Sequence, residues 1–259
     1  MHCKICDADA ARLGAKTLVL EKYEVQYWRC PSCGFIQTDE PYWLDEAYQS
    51  PIAPSDIGYV YRNRSFGWVT RTTIGLFYAG KGPFLDFGGG YGLFVRDMRD
   101  RGYDFRLLDK YTPNLFASGY EWEKLPAGTK AELITSFEVL EHLPDPHAGL
   151  GEILEHGSEL LFSTSIQPAG IQSPADWDYF ALQDGQHIAL HTVESLRRLG
   201  ARHGLYLHSN HRYLHLYSRS NAPTMRSLFP WVSRLKIAHA TQLMFQKRTL
   251  LQRDMGLEP

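Results

Sequence analysis

Hydrophobic positions change period several times along the chain. Residues 17–20 (TLVL) and 25–28 (VQYW) read as short strands. After a stretch with turn signals at Pro51 and Pro54, the apolar positions Tyr59, Phe66, Val69, Ile74 and Phe77 recur at helical spacing. Phe84–Phe87 is a short apolar run, and residues 91–101 return to helical spacing with Leu93, Phe94 and Met98 on one side. Strands are predicted at 105–108, 132–137 and 159–163, with a helix over 146–156 opened by Pro146. A helix over 192–203 has Thr192 as N-cap and Glu194 in its first turn. Residues 205–208 and 213–217 form a hairpin through SNHR, and 231–253 reads as a terminal helix. Between 109 and 132 only residues 118–122 offer a strand, weakly marked. The order predicts an α/β fold with a doubly wound, mostly parallel sheet closed by an antiparallel strand.

The turn after Phe84–Phe87 carries Gly88, Gly89, Gly90 and Gly92, four glycines in five positions. A backbone without Cβ atoms can turn sharply or lie against a ligand. The dinucleotide fingerprint G-x-G-x-x-G is not met. Counted from Gly88 its third glycine falls on Leu93, and from Gly90 on Val95. The pattern present is D-x-G-x-G-x-G, starting at Asp86. Asp109 ends the next strand, 21 residues after Gly88, where an acidic side chain can accept both hydroxyls of a ribose.

The four cysteines, Cys3, Cys6, Cys30 and Cys33, form C-x2-C, a gap of 23, and C-x2-C. Two such pairs make a tetrahedral four-thiolate zinc site, and Gly34 in CPSCGF permits the tight knuckle. Disulfides are the alternative, but the opening MHCKICDADA lacks the apolar core of a signal peptide, so a cytoplasmic, reducing setting is expected. A segment this small buries little apolar surface, so metal would supply its folding energy.

Composition changes the picture little. Hydrophobic content of 44% and charge of 22% over 259 residues are those of a globular chain. No run approaches the ~18 apolar residues of a membrane span. Net charge is −2 but uneven: from residue 200 onward nine Lys/Arg face only Asp254 and Glu258. We expect this basic tail to pack on the acidic body. The ribbon has few basic residues, so no nucleic-acid partner is expected. The organisation expected is a zinc ribbon over 1–40, a linker and helical cap over 41–80, the main domain over 81–220 and a helical extension over 221–259.

The DFGGGYG motif, Asp109, FEVLEHLPDP and the later HI-x-x-HT stretch resemble the class I S-adenosylmethionine-dependent methyltransferases, over about residues 82–218. The resemblance implies a seven-stranded Rossmann-like sheet and S-adenosylmethionine held by Asp86, Gly88, Gly89, Gly90, Gly92, Asp109 and Phe137. It places Phe137 and Glu138 beside the methionine part of that cofactor. A ribbon ahead of such a domain is similar to a bacterial subgroup associated with cell-surface sugars and secondary metabolites. The acceptor implied is therefore a small molecule or carbohydrate, methylated most simply on oxygen. A non-catalytic scaffold and an RNA methyltransferase are the alternatives.

For a hydroxyl acceptor the expected base is His187, with His191 second. Tyr59, Tyr61 and Arg62 can close over the cofactor. In the polar, aromatic stretch 167–186, Trp177, Tyr179 and Phe180 suit a substrate lid. Glu138, Glu141 and His142 share one face if they lie on a helical turn, and with His187 can offer a site for Mg2+ or Mn2+. This E-x-x-E-H pattern is similar to the metal site of small-RNA 2′-O-methyltransferases and of some ubiquinone-pathway O-methyltransferases.

Overall fold

The computed structural model describes residues 1–49, 57–232 and 247–256. Five short strands open the chain: β1 (Ala11–Arg12), β2 (Thr17–Val19), β3 (Tyr23–Val25), β4 (Tyr27–Arg29) and β5 (Ile36–Thr38). A short helix α1 (Leu44–Ala47) and a long one, α2 (Tyr59–Phe77), lead into the main sheet. Its alternating units are β6 (Phe84–Phe87), α3 (Leu93–Asp100), β7 (Phe105–Leu108), β8 (Leu133–Phe137), α4 (Pro146–Leu154) and β9 (Leu160–Ser163). Then follow β10 (Ala189–Leu190), α5 (Val193–Arg202), the hairpin β11 (Tyr206–Ser209) and β12 (Leu214–Ser218), and α6 (Pro223–Val232).

The main sheet has the order β11-β12-β9-β8-β6-β7. β7, β6, β8 and β9 run parallel, whereas β12 is antiparallel to β9 and β11 to β12. Alternation within the strands sorts side chains onto two faces. Phe84, Leu133 and Leu161 meet Val69 of α2, Phe94 and Met98 of α3, and Phe229 of α6. Leu85, Ile134, Leu160 and Phe162 meet Leu150 and Ile153 of α4 and Leu196 and Leu199 of α5. Helices therefore cover both faces, as the period changes imply. The α5 boundary follows its cap: the Thr192 hydroxyl accepts from Ser195 N–H, and the Ser195 hydroxyl accepts from Thr192 N–H in return.

Among the described residues the main sheet has six strands, and the strand expected at 118–122 does not form. At that edge only Glu121 bridges Leu107, and the chain turns at once into the short helix Trp122–Lys124. Gly119 precedes the bridge with φ near +94°, and Glu121 turns its carboxylate back to Gly119 N–H and Asn114, so no ladder extends. The expected helix over 231–253 is also different. Trp231 and Val232 end α6, residues 233–246 lie outside the described residues, and 247–250 is not helical before the single turn Leu251–Asp254. That turn is tied to the body by Asp254, whose carboxylate accepts Arg99 Nε and Nη2 at 2.7 and 2.8 Å. In the described part of the tail, then, the basic segment packs on the body, with Lys247 above the Tyr103 ring.

The N-terminal strands do not stand apart. β1, β4 and β5 form a sheet whose fourth strand is β10, with Ala189 opposite Gln37 and Leu190 opposite Ile36. The polar stretch 167–186 and the residues just after it supply this region with core. Ile171, Phe180 and Ile188 bury against Val25, Tyr27, Ile36 and Trp43. Phe180 is edge-on to Tyr27 at 5.0 Å, so it is a core residue of the ribbon rather than part of a lid.

Candidate functional site

A cleft of ≈ 510 Å³ opens at the carboxyl ends of β6, β7 and β8, where open parallel sheets take ligands. One wall is the glycine loop. Gly88 N–H donates to Leu108 O, and Gly90 N–H donates to Asp109 Oδ2 at 2.9 Å. Asp109 Oδ1 accepts Tyr111 and Thr112 N–H, both at 2.8 Å. This carboxylate is therefore fixed by three backbone amides while it still lines the cleft. A Cβ on Gly90 would meet only the Tyr59 hydroxyl, at 3.3 Å, so that backbone faces open cleft. A Cβ on Gly89 would sit 2.0 Å from Asp86 Oδ2, so Gly89 is there to let the loop lie on Asp86.

Asp86 is fully buried and accepts the Thr135 hydroxyl at 2.6 Å. Its Oδ2 has no hydrogen-bond partner among the described residues. Burial lifts its pKa to about 7, against the Thr135 hydrogen bond and with some help from the Asp109 charge. A carboxylate kept this way gains from a cationic ligand. Phe137 stacks on Phe66 at 4.2 Å and closes the cleft floor. Gly92 is at the start of α3 against Asn114, away from the cleft lining, and acts on the loop's shape.

The opposite wall carries the histidines. His187 Nδ1 lies 2.5 Å from Tyr179 O. A carbonyl can only accept, so Nδ1 carries the proton and Nε2 is left as the basic nitrogen. Burial holds the His187 pKa below its usual value, which keeps the ring neutral at neutral pH. His142 stands edge-on to His187 at 4.9 Å and is likewise pushed down, mainly by burial. Its Nδ1 has no hydrogen-bond partner among the described residues. His191, the second candidate base, is fully buried against Phe35 and is not in the cleft lining.

Glu138 and Glu141 do not share a turn. Glu138 has φ near +55°, its N–H donates to the Ser163 hydroxyl, and that hydroxyl donates to its carboxylate. The short helix Leu140–His142 begins only after it. Glu141 is fully buried, accepts the Tyr179 hydroxyl, and has its pKa raised to about 8 by burial and by the nearby Glu138 charge. The groups that do converge are Glu141, His142 and His187, with ligand atoms within 4.8 Å of one another. One carboxylate, already engaged by Tyr179, and two imidazoles give no support to the expected Mg2+ or Mn2+, which favour oxygen ligands. Of the residues expected to close over the cleft, Tyr59 and Arg62 line it and Tyr61 points to solvent. Tyr179 lies behind His187, outside the cleft lining.

The four thiols converge at the other end of β10. Cys3 Sγ is 3.6 Å from Cys33 Sγ, and Cys6 Sγ 3.5 Å from Cys30 Sγ, with all four within 4.8 Å of one another. Thiolates 2.3 Å from one tetrahedral ion stand about 3.8 Å apart. The donor set fits zinc.

A family described as methyltransferase domain matches residues 71–210, more than half of the chain. The chain belongs to this family. The methyltransferase domain thus spans the glycine loop, Asp109, the Glu138–His142 segment and His187. No curated protein matches the sequence. Among solved structures, CalO1, a methyltransferase of calicheamicin biosynthesis in its SAH-bound form, is 16% identical over 68% of this chain and 61% of its own, with a TM-score of 0.43. NcsB1, an O-methyltransferase from neocarzinostatin biosynthesis in complex with S-adenosyl-L-homocysteine and 1,4-dihydroxy-2-naphthoic acid, is 15% identical over 69% and 61%, with a TM-score of 0.47. The magnesium protoporphyrin IX methyltransferase from Synechocystis PCC 6803 is 11% identical over 69% and 95%, with a TM-score of 0.40. The chain spans about three-fifths of the length of the first two.

The domain's cleft has further walls that the sequence reading missed. Tyr48 stacks on Tyr111 at 5.1 Å over the mouth, and Asn63, Asp184 and Gln186 line it. Tyr111 follows Asp109 by two residues, so its place after β7 is a usable signal. Tyr48 and Gln186 come from segments distant in sequence and carry none.

Proposed function

We propose that the protein is an S-adenosylmethionine-dependent methyltransferase acting on the hydroxyl of a small-molecule acceptor. The observation that carries this reading is one cleft with two unlike walls. On one side a bare glycine backbone lies beside an anchored acidic residue. On the other a neutral imidazole presents Nε2. Asp109 would take the ribose hydroxyls, using lone pairs its three amide donors leave free. The open face of Gly90 would let the cofactor approach, and Asp86 Oδ2 would compensate its positive charge. Bound S-adenosylmethionine would supply an electrophilic methyl group on a sulfonium.

His187 would accept the acceptor's hydroxyl proton at Nε2 while Tyr179 O steadies the Nδ1–H. Phe66 and Phe137 exclude water from the floor, and the Tyr48–Tyr111 pair offers flat faces to the acceptor. The ≈ 510 Å³ cleft and the acidic balance of the body favour a small molecule, a carbohydrate included, over nucleic acid. The four cysteines would hold one structural zinc ion.

The first test is calorimetric titration with S-adenosylhomocysteine. Binding in the micromolar range is expected, and His187→Gln should leave it unchanged. No binding would point instead to a non-catalytic scaffold. With an acceptor in hand, His187→Gln should cut kcat by about 10²–10⁴-fold with little change in cofactor affinity.

A further inference from the structure

We propose that the four-cysteine ribbon is a positioning element for the cleft, holding His187 in its working orientation through the strand that follows it. The inference rests on the reading of His187 as the base. His187 lies on a connection with no helix or ladder of its own until β10 begins at Ala189. Its two flanks are held both from the body of the domain, through Ile188 N–H to Glu141 O at 3.0 Å and the bridge of Ile166 to His191, and from the N-terminal region. Before it, Gly185 O accepts the Trp43 indole N–H at 2.8 Å, and the Gln186 side chain donates to Ala47 O at 2.7 Å. After it, β10 pairs with β5.

Beyond β10 the link reaches a metal-ligand residue directly. The Thr192 hydroxyl donates to Cys33 O at 2.6 Å. Gly34 sits so close that a Cβ there would lie 2.7 Å from Thr192 Cγ2. Gln167 Nε2 bonds both Gly34 O at 3.0 Å and Leu190 O at 2.7 Å, bolting knuckle to strand. Four residues therefore separate His187 from Thr192 and its contact with the cysteine knuckle. The glycine loop has no such dependence: the closest groups around it belong to Tyr59, Asp86, Leu107, Asn114 and Val139. A domain of this kind can be loosened at its base while its cofactor wall stays intact.

Packing already gathers the thiols, since Cys3, Cys30 and Cys33 are buried beside Ile5 and Phe35, and a shared ion would fix their mutual geometry. The ribbon's strands are two or three residues long; β1 is exposed, whereas β5 is buried through its pairing with β10. Losing the ion would free Cys33, then Thr192 and β10, and so release the register that aims His187. Occupancy of the ribbon would thus govern the base and leave cofactor binding almost untouched.

The test uses the full chain with 15N-labelled histidine, loaded with zinc and then stripped by a chelator. In the loaded protein the His187 ring, assigned by its loss in His187→Gln, should show the Nδ1–H tautomer. Stripping should abolish that signature and raise amide exchange across residues 185–192 by about tenfold or more. Affinity for S-adenosylhomocysteine should stay within about threefold. A tautomer and exchange pattern unmoved by stripping would overturn the proposal. So would parallel loss of cofactor binding, which would make the ribbon a general folding staple. Thr192→Val keeps all four thiols and should loosen 186–191 with zinc retained, whereas Thr192→Ser should restore it. Loosening confined to the first turn of α5 would assign Thr192 to capping alone and refute the link. Failure of the loaded protein to bind S-adenosylhomocysteine would sink the cofactor reading, while the tautomer and exchange results would still decide the ribbon's role.

Discussion

Gly89 and Gly90 are neighbours with opposite surroundings, and replacing each by alanine separates packing from ligand binding. At Gly89 the added methyl would lie 2.0 Å from Asp86 Oδ2 and 2.7 Å from Leu107 Cδ1. Neither can yield easily, since Asp86 is held by Thr135 within β6 and Leu107 is buried in β7. Overpacking of this kind costs about 1–3 kcal/mol. At roughly 2–4 °C per kcal/mol for a domain of this size, Tm should fall by about 2–12 °C. At Gly90 the methyl meets nothing nearer than the Tyr59 hydroxyl, at 3.3 Å. Its cost in the free protein is the left-handed backbone, with φ near +60°, at about 1–2 kcal/mol. In the cleft, however, it occupies the surface the cofactor should touch, and affinity should fall by about tenfold or more, a loss of about 1.4 kcal/mol. Thermal unfolding read beside calorimetric titration with S-adenosylhomocysteine measures both terms. Gly90→Ala binding like the wild type would refute the cradle. A Gly89→Ala protein as stable as the wild type would refute the packing of the loop on Asp86.

The purified protein should carry one zinc per chain by metal analysis, and Cys30→Ser should lose it together with several kcal/mol of stability in the ribbon. Asp109→Ala should weaken S-adenosylhomocysteine binding and also cost about 1–3 kcal/mol in denaturant titration, because Gly90, Tyr111 and Thr112 N–H lose their acceptor. Asp254→Ala should cost about 3 kcal/mol by the same measurement, since Arg99 is buried and loses a two-point partner. Glu141 has a raised folded pKa, so its contribution is present in full below the ordinary carboxyl value and is lost as pH rises through about 8. Glu141→Gln should therefore match the wild type near pH 5 and exceed it by about 1 kcal/mol or more above pH 8 in unfolding experiments, and a constant difference across that range would refute the assignment.

The sequence made the central sheet readable because its strands are short apolar runs set off by turn residues, and its helices carry their own caps. Thr192 and Pro146 open helices by local chemistry, so they needed no tertiary information. The glycine loop was legible for the same reason: four glycines beside an aspartate are a local signal. What failed was whatever depends on partners distant in the chain. Residues 118–122 have strand-like composition, but Glu121 spends its carboxylate on the turn. Glu138, Glu141 and His142 have the spacing of one helical face, yet the left-handed backbone at Glu138 turns it toward Ser163. Phe180 looked like a lid residue because nothing in its own segment indicates that Tyr27 needs a partner. The Tyr48–Tyr111 pair joins segments on either side of α2 and leaves no periodic trace.

The sheet shared by β4, β5 and β10 has a consequence for the order of folding. The four cysteines lie close together, between positions 3 and 33, and can gather around an ion as soon as that stretch of chain is free. The outer edge of β5 then waits for β10, about 150 residues later, an interval of about 8–30 s at ordinary rates of synthesis. Through that interval the nascent ribbon exposes an unpaired strand edge, and Tyr27 and Trp43 lack the cover of Phe180 and Ile188. The nascent chain is thus most exposed to misassociation before its methyltransferase domain is complete, and a chain stalled between those two points should be the form that chaperones and proteases meet.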